Sequence, residues 1–130
     1  MKLFTHISKG ETGEDFTAKF LRKNKCKILD RNMRNKYSEI DIIAEDKEYI
    51  IFVEVKTRTG EGIIRPAEAV NLHKQQMIIR AAKHYLTYNN PTTKQPRFDV
   101  SEVFLTEKGK PYKINYIKNA FFQGGSYAVF

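Results

Sequence analysis

The sequence predicts an α/β fold, a mixed β-sheet with helices packed on its faces. Two segments space their apolar residues as helices do, and four or five alternate them as strands do. Their order along the chain is helix, three strands, helix, one or two strands. No repeat, low-complexity tract or Pro/Gly/Ser-rich linker divides the 130 residues, so a single domain over 1–130 is expected.

The first helix is expected from about Gly10 to Asn24, where Phe16, Phe20 and Leu21 fall on one side at about 100° per residue. CKILDRNM follows as a short strand. The next two strands lie in SEIDIIAEDKEYIIFVEVKTR (38–58), joined by a tight turn at Lys47–Glu48. TGEGIIRP is a loop ending in Pro66, a favoured first-turn residue. A long helix then runs to about Tyr88, with Val70, Met77, Ile78, Ala81, Tyr85 and Tyr88 on one face, and NNP stops it. RFDVSEVFL reads as a strand, KGKP as a turn and YKINYI as a last strand. The aromatic tail NAFFQGGSYAVF reads as a terminal strand on its own core, with a contact surface as the alternative.

No apolar run reaches the ~18 residues of a membrane span. MKLFTHISKG lacks the apolar core of a signal peptide, so a cytoplasmic protein without a membrane partner is expected. The lone Cys26 excludes an internal disulfide framework and a multi-cysteine zinc site.

The net charge of +8 is unevenly divided. Residues 1–36 hold ten Lys/Arg against four Asp/Glu, residues 37–56 two against six, and residues 57–130 eleven against five. An acidic island sits in a basic frame, and the frame points to a polyanionic partner.

The island is where charges are costly. One face of the two strands collects Ile40, Ile42, Ala44, Ile51, Val53 and Val55, an apolar set that must be core. The other collects Glu39, Asp41, Ile43, Ile50, Phe52, Glu54 and Lys56. A two-residue turn sets Asp41 opposite Glu54 and Glu39 opposite Lys56, with Cβ atoms ~5 Å apart. Ile43, Ile50 and Phe52 imply that a helix covers this face, so the charges stand at the mouth of a covered region. Carboxylates clustered there need a shared proton or a cation, and a hard divalent ion such as Mg²⁺ meets that need. Glu14 lies at nearly the angle of Leu21 on the first helix, placed to complete the cluster. Lys74 and Gln75 fall likewise within the apolar sector of the long helix.

Asp41 followed by Glu54-Val55-Lys56 resembles the PD-(D/E)XK nuclease superfamily. The chain is more closely similar to the bacterial YraN-type family of small predicted endonucleases related to archaeal Holliday-junction resolvases. That resemblance rests on GE at 13–14, RNMR at 31–34, EIDIIAED at 39–46, FVEVKTR at 52–58, PAEAV at 66–70 with Lys74, and RFDV at 97–100. Ser38 departs from the family's glycine, and Ile64-Arg65 from a small residue or glycine before the proline. The resemblance implies a restriction-endonuclease-like mixed sheet with an α-β-β-β-α-β core. It also implies Mg²⁺ or Mn²⁺ held by Asp41 and Glu54 with help from Glu14, and Lys56 beside them.

On this reading Glu14, Asp41, Glu54 and Lys56 are the catalytic candidates, with Glu39, Lys74 and Gln75 in support. Arg22, Lys23, Arg31, Arg34, Arg58 and Lys74 are candidates for phosphate contacts. The expected activity is metal-dependent hydrolysis of DNA phosphodiesters, in branched or junction DNA in particular. A junction resolvase cuts two strands symmetrically, so a homodimer is a further expectation. The alternatives are a non-cleaving nucleic-acid-binding module on a nuclease fold, and a protein scaffold that docks through the acidic island.

Overall fold

A computed structural model describes residues 11–59, 70–122 and 125–126. Helix α1 spans Gly13–Lys23, strand β1 Lys27–Arg34, β2 Glu39–Glu45 and β3 Tyr49–Thr59. Helix α2 spans Leu72–Tyr88, and β4 (Gln95–Leu105), β5 (Pro111–Phe122) and β6 (Gly125–Ser126) complete the described chain. The sheet order is β1-β2-β3-β4-β5-β6. Only β3 and β4 pair in parallel, across the α2 crossover; the other neighbours are antiparallel. This is the mixed sheet flanked by helices that a restriction-endonuclease-like core requires.

Both sheet faces are core. On one, Ile43, Ile50, Phe52, Phe98 and Val100 meet Ile78, Ala81, Ala82 and Tyr85 of α2. On the other, Ile42, Ala44, Ile51 and Val53 meet Ala18 and Leu21 of α1. The expected covering of Ile43, Ile50 and Phe52 is therefore complete.

Five expectations are corrected. Helix α1 begins at Gly13, because Thr12 and Asp15 form a reciprocal capping box. Its sheet face is Gly13, Thr17, Ala18 and Leu21, with Phe16 and Phe20 only half-buried. Small residues let the helix approach closely, and Thr17 satisfies its hydroxyl on Gly13 O (2.9 Å) and Ser101 Oγ (2.8 Å). Helix α2 begins at Leu72, where the Asn71 side chain accepts from the Lys74 amide. Its buried face gains Ile79 and Ala82 and loses Tyr88, which is 73% exposed. The expected start at Pro66 lies outside the described residues.

The fifth correction concerns Ile40, which packs with Ile43 and Phe52 instead of with Ile42. Its partner in β1 is Met33, which packs on the same side. Between Met33 and Arg31, which turns to α1, stands Asn32 at φ 54. This left-handed residue, tolerated by asparagine, reverses the alternation of side chains. Both strands therefore change face at the level of Asp41.

The tail is strand up to Phe122 and again in β6, residues 123–124 and 127–130 lying outside the described ones, with Ala120 and Phe121 buried and the Phe98 and Phe121 rings stacked at 5.3 Å. Asp99, fully buried, ties β4 to β5 by accepting from Arg97 Nε (3.0 Å), Tyr116 Oη (2.7 Å) and the Asn119 amide (2.8 Å). Asn119 has φ 54, and the β4–β5 register shifts between Phe98 and Val100. The carboxylate thus satisfies an amide that the irregularity frees.

Candidate metal centre

The β2–β3 turn is closed by the Asp46 amide on Tyr49 O (3.0 Å), while Asp46 Oδ1 accepts from the Glu48 and Tyr49 amides. This two-residue turn sets the predicted register, pairing Ile42 with Val53 and Glu45 with Ile50. Continued one step, the register sets Asp41 opposite Glu54. The ladder stops short of that step. Strand β2 stays with β1 as far as Glu39 and β3 stays with β4 as far as Thr59, so the two strands fork. In the fork Asp41 Oδ2 accepts from the Val55 amide (2.7 Å), replacing the ladder bond.

At this fork, where the alternation reverses, Asp41 meets charges from both faces. On the α2 side lies Glu54, 7% exposed, within hydrogen-bonding reach of Asp41. Lys56 Nζ lies 3.6 Å from Glu54 Oε2 and Lys74 Nζ 4.0 Å. On the α1 side a cavity of about 440 Å³ is lined by Gly13, Glu14, Arg31, Asn32, Asp41 and Thr57.

The carboxyls are strained electrostatically. Burial, then the Glu54 charge, pushes the Asp41 pKa up to about 6 against the pull of the Val55 amide. Burial also raises Glu54, opposed by Lys74 and Lys56. Glu14 is raised by burial and by Asp41, and is held back by Asn32 and Arg31. A buried like-charge pair of this kind is relieved by a proton or by a cation.

The hard oxygen donors of Asp41 and Glu54 fit Mg²⁺ or Mn²⁺. Among the described residues no three His, Cys, Asp or Glu gather into a metal-holding group. The centre is a carboxylate pair with Glu14 as its neighbour, and an ion there would take its other ligands from water or substrate.

The remaining candidates are spread around this pair. Glu39 faces Arg34 across the ladder (3.8 Å) and forms no ion pair with Lys56 among the described residues. Gln75 is buried and donates to Val70 O (3.1 Å). Arg31 is bound to Asp15 (2.9 Å) and Glu14 (3.6 Å), bracing α1 against β1. Arg22, Lys23 and Arg34 are exposed, and Arg58 is half-buried.

Three contributors escaped the sequence reasoning. Asn32 reaches Glu14, and its signal was an asparagine inside a strand. Gly13 has no room for a Cβ, which would collide with Thr57 Cγ2. Glu102 is opposite Lys56 in the parallel ladder and is buried, with one oxygen accepting from Asn115 (2.9 Å). Its other oxygen has no hydrogen-bond partner among the described residues.

Fold and site together define a small α/β protein with a buried and a half-buried carboxylate side by side and two lysines at a fork in its sheet. The chain belongs to the uncharacterised protein family UPF0102, whose model matches residues 13–103. It is 46% identical over 122 residues to a UPF0102 protein of Caldanaerobacter subterraneus, covering 93% of this chain and 100% of the relative. Similar relatives occur in Acetivibrio thermocellus (45% over 116 residues, 86% and 89% covered) and Clostridioides difficile (44% over 113, 87% and 96%). No helix among the described residues is long and apolar enough to cross a membrane.

Proposed function

We propose that this protein is a metal-dependent endonuclease of the PD-(D/E)XK type that hydrolyses DNA phosphodiesters, with branched or junction DNA as its preferred form. One observation carries the reading: Asp41 and Glu54 are forced together in a buried fork with two ammonium groups beside them. A fold that needed only stability would not place like charges there.

Asp41 and Glu54 would hold the Mg²⁺ or Mn²⁺, with Glu14 as the nearest further carboxylate. The ion supplies Lewis-acid charge and a water acidic enough to attack at neutral pH. Lys56, fixed by Glu54, offers its ammonium to a phosphoryl oxygen as negative charge develops there. Lys74 adds a second positive charge from α2. Burial of Glu54 and the half-burial of Asp41 lower the local dielectric and so strengthen these interactions.

A non-cleaving nucleic-acid-binding module is the second reading. Its support is the exposed set of Arg22, Lys23, Arg34, Arg80 and Lys83, which can hold phosphates without any chemistry. The deciding experiment incubates the protein with linear duplex, single-stranded, flapped and four-way-junction DNA in Mg²⁺ or Mn²⁺. Cleavage is expected, with Asp41→Ala and Lys56→Ala each lowering it about 10²-fold or more. Binding without cutting in both metals would favour the second reading. Cleavage undiminished in Asp41→Ala would remove the site from the reaction.

A further inference from the structure

On the outer side of α2, against the β1–β2 turn, lies a groove of about 740 Å³. Its lining includes Lys36, Tyr37, Arg80, Lys83, His84 and Tyr88, so three cations and three flat rings share one groove. Its carboxylate-free lining contrasts with the metal centre. The His84 ring lies 4.7 Å from Tyr88 and 6.0 Å from Tyr37, and Lys36 Nζ sits 5.2 Å over the Tyr37 ring. His84 Nδ1 is buried with no hydrogen-bond partner among the described residues.

The groove is built, not left over. Asn35 donates to Ala81 O of α2 (3.0 Å) and accepts from the Tyr37 amide (3.0 Å), strapping the turn to the helix. Tyr88 contributes nothing to the core, yet presents a large ring at 73% exposure. Core packing accounts for neither the exposed ring nor the cations beside it.

We propose that this groove binds an unpaired stretch of nucleic acid, with a base stacked on Tyr88 and its phosphates on Lys36, Arg80 and Lys83. A nucleotide carries both a flat apolar base and an anion, and the lining carries both rings and cations. An acidic peptide would use the cations and leave the rings idle. A paired duplex would hide its base faces and so could not use Tyr88. The inference deepens the nuclease reading, on which it rests only for its consequence: Tyr37 precedes Asp41 by four residues, at most ~14 Å of chain. A strand seated in the groove therefore has the carboxylate pair within a few nucleotides.

The test measures fluorescence anisotropy of labelled dT8, rU8 and a blunt hairpin duplex with the full chain in EDTA, so that cleavage plays no part. Tyr88→Ala is expected to weaken dT8 about tenfold, as loss of one stacked base would. Tyr88→Trp retains the affinity, and neither variant alters duplex binding. Arg80→Ala/Lys83→Ala lowers the slope of log affinity against log salt by roughly 1.4. Affinity for dT8 within twofold of wild type in either Tyr88→Ala or the double variant overturns the groove assignment. Equal weakening of the duplex by Tyr88→Ala overturns the unpaired-strand claim. Tighter binding of rU8, lost with the same variants, assigns the groove to RNA. Because nothing is cut in EDTA, an inactive protein that binds dT8 through Tyr88 would refute the nuclease reading and leave the groove standing.

Discussion

Asp41 makes stability depend on pH in a direction opposite to most acids. Its carboxyl titrates near 3.8 when unfolded and near 6 when folded. Between those values the folded state binds more protons, so stability falls as pH rises through the window and stays low above it. Asp41→Asn keeps an acceptor for the Val55 amide and removes the charge. At about pH 7.5 without divalent ions it should stabilise the protein by about 1–2 kcal/mol, allowing for partial solvent screening. Below about pH 3.8 the gain should vanish, since the wild-type carboxyl is then neutral in both states. Thermal melts at the two pH values check this. Added Mg²⁺ should raise the wild-type Tm at neutral pH and leave that of the variant unmoved. An unchanged wild-type Tm would mean that the pair holds no such ion.

At the scale of elements, the site depends on how closely α1 lies on the sheet. Replacing a helical glycine by alanine ordinarily stabilises by about 1 kcal/mol. At Gly13 the added Cβ would strike Thr57 Cγ2, forcing the helix away from β3. Gly13→Ala is therefore expected to destabilise by about 1–3 kcal/mol, and Thr57→Ala in the same chain to recover most of it. Urea unfolding of the two single variants and the double closes the cycle. The β2–β3 hairpin was legible beforehand, because a two-residue turn fixes register and alternation fixes face. The fork was not. It arises from a left-handed Asn32 and a side chain capturing an amide, and neither leaves a periodic trace. The sheet face of α1 was misjudged for a related reason: Phe16 and Phe20 carry the hydrophobicity, but Gly13, Thr17 and Ala18 permit the approach.

Across the whole molecule, charge both attracts and resists a polyanion. Of the acidic island of residues 37–56, Glu54 is buried and Asp41 half-buried in the fork, while Arg22, Lys23, Arg34, Arg80 and Lys83 stay exposed. Nucleic acid drawn to these cations would meet the desolvated carboxylate pair at the centre, where repulsion is least screened. In EDTA, Asp41→Asn/Glu54→Gln should therefore bind duplex DNA several-fold more tightly than wild type, and Ca²⁺ should narrow the gap by acting on wild type alone. Anisotropy titrations read both. Equal affinities in EDTA would mean that phosphates do not approach the pair. The order of elements and the mixed sheet were legible in the sequence; the groove beside α2 was not. Its residues come from the β1–β2 turn and two turns of α2, segments that only the folded chain brings together.

The Val55 amide, held by a carboxylate where its neighbours are held by a strand, is a spectroscopic reporter built into the backbone. Whatever neutralises Asp41 must alter that one hydrogen bond. Its amide resonance should move with the titration near pH 6 and move again when a divalent ion enters. The state of the fork can then be followed in a ¹⁵N spectrum without substrate, turnover or label on the side chains that do the work.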